Sequence, residues 1–111
     1  MTYFHGGGHI AGEYVEDADG AGRSGDTGVF VTTEQGLAEV YASTTAGSTA
    51  WVYEVEPIGD VVAVAPLVGG PVISYRCARA RIVRRFTVPN AKREAIREAV
   101  FHVAGMREAL P

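Results

Sequence analysis

Three consecutive glycines, Gly6-Gly7-Gly8, end the first strand candidate, Tyr3-Phe4-His5, and set a pattern that the chain repeats. β-Favouring runs are short, and most meet glycine or proline before a long strand can form. The further candidates are residues 29–32, 50–55, 61–64, 72–75 and 80–86, rich in β-branched and aromatic side chains. Along 50–55 the alternation sets Trp51, Tyr53 and Val55 on one face against Val52 and Glu54, with Glu56, on the other; Pro57 and Gly59 then read as a turn. Residues 11–28, with five glycines and several acids, read as one long loop.

Two stretches have helical spacing. Leu37, Val40 and Tyr41 recur after a cap at Thr32 or Thr33, and the Ser/Thr residues of 43–49 with Gly47 end the pattern. The second helix is expected over 91–109, with Asn90 as its cap. Its apolar stripe is Ile96, Val100, Val103 and Ala104, while Lys92, Arg93, Glu94, Arg97 and Glu98 face water. Five or six short strands with one early and one C-terminal helix make an α+β fold. At 111 residues and 47% hydrophobic content, residues 1–111 are expected to form a single domain with one core.

Composition narrows the setting. The longest apolar run, 61–68, is too short to cross a bilayer, and no basic start precedes an apolar core, so a cytoplasmic protein without membrane attachment is expected. A single cysteine, Cys77, excludes an internal disulfide. Charge is unevenly divided: residues 1–60 carry ten acids against Arg23 alone, and residues 61–111 carry nine cations against three acids. The cluster Arg76, Arg79, Arg81, Arg84 and Arg85 could draw an anion, yet no stacking aromatics interleave with it, which argues against nucleic acid. His5 and His9 lack a third ligand at metal spacing, so no metal site is expected.

The residues that could carry chemistry are few. His5 stands where a strand meets glycines, so a ligand could approach its imidazole and the Gly6 backbone closely; an ordinary strand-end histidine is the plain alternative. Phe30 and Tyr41 lie eleven residues apart on a strand and a helix, and could either sandwich a planar ring or fill the core. Glu54, Glu56 and Asp60 are candidate carboxylates for stabilising a cationic sugar centre or taking a proton, although a wet strand face explains the glutamates as well. Ser74-Tyr75-Arg76 is a candidate ligand-facing tripeptide, and Cys77 beside it reads as structural. No GxGxxG follows a strand candidate into a helix, and GxxxxGK, GxSxG and HExxH are absent.

Taken in order over residues 3–86, these pieces resemble the ADP-ribosyltransferase superfamily, nearest to the small NAD-dependent rifamycin ADP-ribosyltransferases. The resemblance rests on Tyr3-Phe4-His5-Gly6, on Gly28-Val29-Phe30-Val31-Thr32, on Val55-Glu56-Pro57-Ile58-Gly59, and on Ser74-Tyr75-Arg76 with Arg81-Ile82-Val83. It implies two small packed sheets, antiparallel or mixed, around a cleft for NAD as substrate. His5 would bind the nicotinamide ribose, the Gly6 backbone the carboxamide, and Phe30 and Tyr41 would flank the ring. Ser74 and Arg76 would complete the NAD contacts, and Asp60 would be the catalytic carboxylate. The implied reaction moves ADP-ribose to an acceptor hydroxyl with release of nicotinamide. The implied acceptor is a small molecule such as a rifamycin, which would make the protein an antibiotic-resistance enzyme. Alternatives are a protein acceptor, a toxin-like NAD hydrolase acting with a partner or inhibitor protein, or a non-catalytic NAD or ADP-ribose binding module. A monomer or small homo-oligomer fits each. The chain departs from the family's pattern at Gly7, where the family has Thr, at Phe30, where it has Tyr, and after Asp60, where a second carboxylate is missing.

Overall fold

The computed structural model describes residues 1–16, 28–45, 47–66 and 69–109, with 103–109 as helix backbone alone. The order of elements is β1 (Tyr3–Gly7), β2 (Tyr14–Glu16), β3 (Val29–Thr32), α1 (Gln35–Thr44), β4 (Trp51–Ile58), β5 (Val62–Val64), β6 (Ser74–Cys77), β7 (Arg79–Thr87) and α2 (Asn90–Ala109). The described strands form one seven-stranded sheet, ordered β2-β7-β4-β1-β3-β6-β5. Every pairing in it is antiparallel.

The expected antiparallel pairing is present, but one sheet stands where two small packed sheets were expected. β1 is hydrogen-bonded on both edges, so the halves are joined, but unequally. Along β4 it is registered from Tyr3↔Val55 to Gly7↔Trp51, whereas on β3 it has the single pair Phe4↔Thr32. Beyond that narrow seam the halves fold toward each other. Val29, Val31 and Cys77 from one half meet Val15, Tyr53, Val55 and Ala80 from the other in one core, and the Tyr3 and Tyr75 rings meet edge to face at 5.5 Å. Burying each such aliphatic side chain contributes about 1.5–3 kcal/mol.

A second core lies under α1, where Ala38 and Ala42, one turn apart, pack on Phe4, Val52, Ala50 and Val88. Gly6 allows this approach: a Cβ at that position would lie 1.9 Å from the Ala38 carbonyl oxygen. At the start of α1 the Thr32 hydroxyl accepts from the Glu34 amide at 3.1 Å and donates to the Ile73 carbonyl at 2.6 Å, so the threonine contact comes from two residues before the helix cap, Glu34, and is made to the cap's own amide.

Further expectations change. The stretch 11–28 is interrupted by β2, in which Val15 enters the core while Arg79 covers the Tyr14 ring at 4.0 Å and pairs with Glu16 at 2.9 Å. Asp17, Asp19, Arg23 and Asp26 lie outside the described residues. β4 runs through Pro57 to Ile58, because β1 leaves β4 at Val55 and the missing proline N–H falls where one edge is open. On α2, Arg93 is buried rather than wet, and Asn90 is already helical. Val100 and Phe101 are exposed, and among the described side chains of α2 only Arg93 is buried and Ile96 partly so; the Val103 and Ala104 side chains lie outside the described residues. No described helix is long and apolar enough to cross a membrane.

Candidate functional site

The seam between β1 and β3 opens one residue past Phe4↔Thr32, at His5. Its half-buried ring crosses the gap, and Nδ1 contacts the Phe30 carbonyl oxygen at 2.8 Å. A carbonyl only accepts, so Nδ1 carries the proton. Burial pushes the imidazole below its ordinary pKa, and the smaller pull of the Phe30 carbonyl acts in the opposite direction. His5 is therefore neutral near pH 7, leaving Nε2 as a hydrogen-bond acceptor. A Cβ on Gly7 would lie 3.6 Å from that nitrogen, so glycine leaves this side of it open.

Over the seam lies a cleft of about 860 Å³. Phe4, His5 and Gly6 form its floor, residues 30–32 one wall, and Tyr41, Thr44 and Thr45 of the α1 end another, with Val64, Pro66, Ile73 and Ser74 completing it. Such a volume suits a drug-sized or nucleotide-sized ligand. Phe30 and Tyr41 remain 46% and 52% exposed, which decides against their being core aromatics. The expected His5, Gly6, Phe30, Tyr41 and Ser74 thus come together in one cleft.

Arg76 and Asp60 are not among its lining residues. Arg76 is half-buried on β6, registered between Phe30 and Val62 and two residues along from Ser74, so it continues the sheet face that bears the cleft. Asp60 is exposed just after Gly59, whose φ of 81° turns the chain toward β5. It lies toward the Val62↔Arg76 end of the β5–β6 ladder, while the cleft lies at the Val64↔Ser74 end. Glu54 and Glu56 are paired with Arg84 at 3.4 Å and Arg81 at 2.8 Å. Among the described residues no carboxylate and no cation lines the cleft.

The arginine cluster is largely engaged in the fold. Besides the pairs of Arg79, Arg81 and Arg84, Arg85 donates to the carbonyls of Ile10 at 2.7 Å and Gly12 at 2.9 Å. It shares that task with a residue the sequence does not single out. The fully buried Tyr53 donates its hydroxyl proton to the Gly8 carbonyl at 2.7 Å and accepts from the Ile10 amide at 2.8 Å, fixing the turn that follows His5. Burial pushes the Tyr53 phenol pKa up, and that of the Cys77 thiol likewise. Cys77 sits in the core with Sγ 3.8 Å from the Val29 carbonyl, a structural setting. Thr44 and Thr45, read in the sequence only as the end of a helix, are cleft residues; nothing in their local pattern marks them.

A smaller cavity of about 340 Å³ shares His5 and Phe30 with the cleft and is otherwise lined by Gly8, His9, Ile10, Val15, Glu16, Gly28 and Val29. No protein-family model matches this chain, and no curated protein matches it either.

Proposed function

We propose that the cleft over the β1–β3 seam binds NAD and that the protein transfers its ADP-ribose to an acceptor hydroxyl, with a small molecule such as a rifamycin as the first candidate acceptor. The observation that carries this reading is a neutral imidazole, oriented through Nδ1, in a cleft that also holds two exposed aromatic rings. Nε2 can accept a hydrogen bond from a ribose hydroxyl, and Phe30 and Tyr41 can pack on the nicotinamide ring. In the reaction the bond from ribose C1 to the nicotinamide nitrogen breaks, its electron pair leaving with neutral nicotinamide. The acceptor oxygen then bonds to C1 and gives up its proton. Asp60 is the carboxylate this reading assigns to supporting the cationic C1 or accepting that proton. The reading is of a cytoplasmic enzyme, working where NAD is at hand.

One observation favours a second reading, a module that binds NAD or ADP-ribose without turnover: no carboxylate lines the cleft among the described residues. Incubation with NAD, with and without candidate acceptors, separates the two by free nicotinamide and by adduct mass. Transfer requires acceptor-dependent nicotinamide release above background, reduced in Asp60→Asn. Binding with background release selects the module, and release without any adduct selects a hydrolase. A loss in Glu56→Gln rather than Asp60→Asn would move the carboxylate to Glu56.

A further inference from the structure

The cap of α1, Thr45, is extended at φ −76° and ψ 146°. The last carbonyls of a helix have no intrahelical partner, and an arginine from another element reaches this end of α1. Arg93, in the first turn of α2 and only 6% exposed, donates from Nε to the Ser43 carbonyl at 3.4 Å and from Nη2 to the carbonyls of Thr45 at 3.0 Å and Gly47 at 2.9 Å. The negative end of the helix dipole adds to the attraction. The preceding residue, Lys92, binds Glu39 on α1 at 2.7 Å, so the same turn grips α1 at its middle and at its end.

What Arg93 grips is a wall of the cleft. Thr44 and Thr45 line it, and their hydroxyls turn back to the carbonyls of Val40 at 3.0 Å and Tyr41 at 2.7 Å. The contacts therefore run from Arg93 through Thr45 to the residue whose ring faces the cleft. We infer that Arg93 is a positioning residue for the ligand cleft: from α2 it holds the Tyr41–Thr45 end of α1 at the setting that fixes the space between the helix wall and Phe30. For NAD as the occupant this rests on the reading above; the geometric part does not. A planar fork spans three carbonyls, which a lysine ammonium on its single stem does not reproduce.

The test compares the full chain with Arg93→Lys and Arg93→Met. Amide hydrogen exchange at Thr44 and Thr45 is expected to quicken in both variants while Val52 and Val55 in β4 keep their protection. With NAD as the probe, Arg93→Lys is expected to raise KM about tenfold, with kcat little changed. Unaltered exchange at the α1 end, or equal acceleration throughout the sheet, overturns the inference, as does an unchanged KM in Arg93→Lys when the wild-type chain turns NAD over. If the wild-type chain neither binds nor cleaves NAD, the NAD reading fails, and the exchange comparison alone still decides for or against Arg93.

Discussion

At Gly6 the absence of one carbon decides how close α1 comes to the sheet. A Cβ there would meet the Ala38 carbonyl oxygen at 1.9 Å and its carbon at 2.8 Å, and backbone cannot swing aside as a side chain can. Gly6→Ala is expected to destabilise the fold by about 3 kcal/mol, at the upper end of the usual overpacking penalty. Gly36, in the first turn of α1 with nothing within 4 Å of its Cβ position, is the control. There alanine is expected to stabilise by about 0.5–1 kcal/mol, since glycine is a poor helix residue. Denaturant midpoints of both variants check the pair; a Gly6→Ala protein as stable as wild type would mean that α1 stands off from β1. At His5 the testable quantity is proton linkage. Its pKa is lowered in the folded state, so between that value and the ordinary 6.5 the unfolded chain binds a proton that the folded chain does not. The stability involved is fully present above pH 6.5 and is lost as pH falls through the folded value. Stability against pH is expected to fall less steeply below 6.5 in His5→Gln than in wild type; parallel curves would count against a buried neutral imidazole.

Among the elements, the turn after β1 depends on a residue from β4. Tyr53→Phe keeps the buried ring but leaves the Gly8 carbonyl and Ile10 amide without their partner, which is expected to cost about 1–3 kcal/mol. Faster amide exchange at Ile10 should accompany the loss, and protection equal to wild type would show that Arg85 alone holds the turn. Why some elements were legible and others not follows from their neighbours. β3 and most of β4 read correctly because β-branched and aromatic residues fill them, with Val29 and Val31 and then Tyr53 and Val55 buried at alternate positions. β2 did not, because three residues with one buried valine give no periodicity, and what holds them is a distant strand, through Tyr14↔Arg81 to Glu16↔Arg79. The bulge in β7 is likewise silent in the sequence. Glu54 pairs with Arg84 but Val55 with Ile82, so Val83 is extra. That insertion lets Ile82 pack with the first core and still leaves Arg85 beside Tyr53. On α2 the stripe misled for a related reason: amphipathic spacing signals a helix, but only packing decides how much of it is covered, and Arg93 found carbonyls where water was expected.

The charge division along the chain acquires a meaning at the scale of the molecule. Glu16–Arg79, Glu39–Lys92, Glu54–Arg84 and Glu56–Arg81 each join an acid of the first half to a cation of the second, so the asymmetry in sequence becomes pairing in space. Three of these pairs are solvent-exposed and contribute little to stability. The sheet is one hydrogen-bonded whole, yet it narrows to a single registered pair at the place where the cleft opens. That seam brings His5, Gly6 and Phe30 together with Tyr41 and Ser74, which the resemblance had grouped in advance, while Asp60 stays outside the cleft lining. The difference is physical: residues flanking the seam are fixed by strand register, whereas Asp60 sits in the turn between β4 and β5, where spacing in sequence sets no position in space. The most direct test of the account is a calorimetric titration of NAD into the wild-type chain and into His5→Ala, with thermal melting of both to show that they remain folded. The account expects saturable one-to-one binding by the wild type, weakened about tenfold or more in the folded variant. No binding by the wild-type chain, or undiminished binding by His5→Ala, would contradict it.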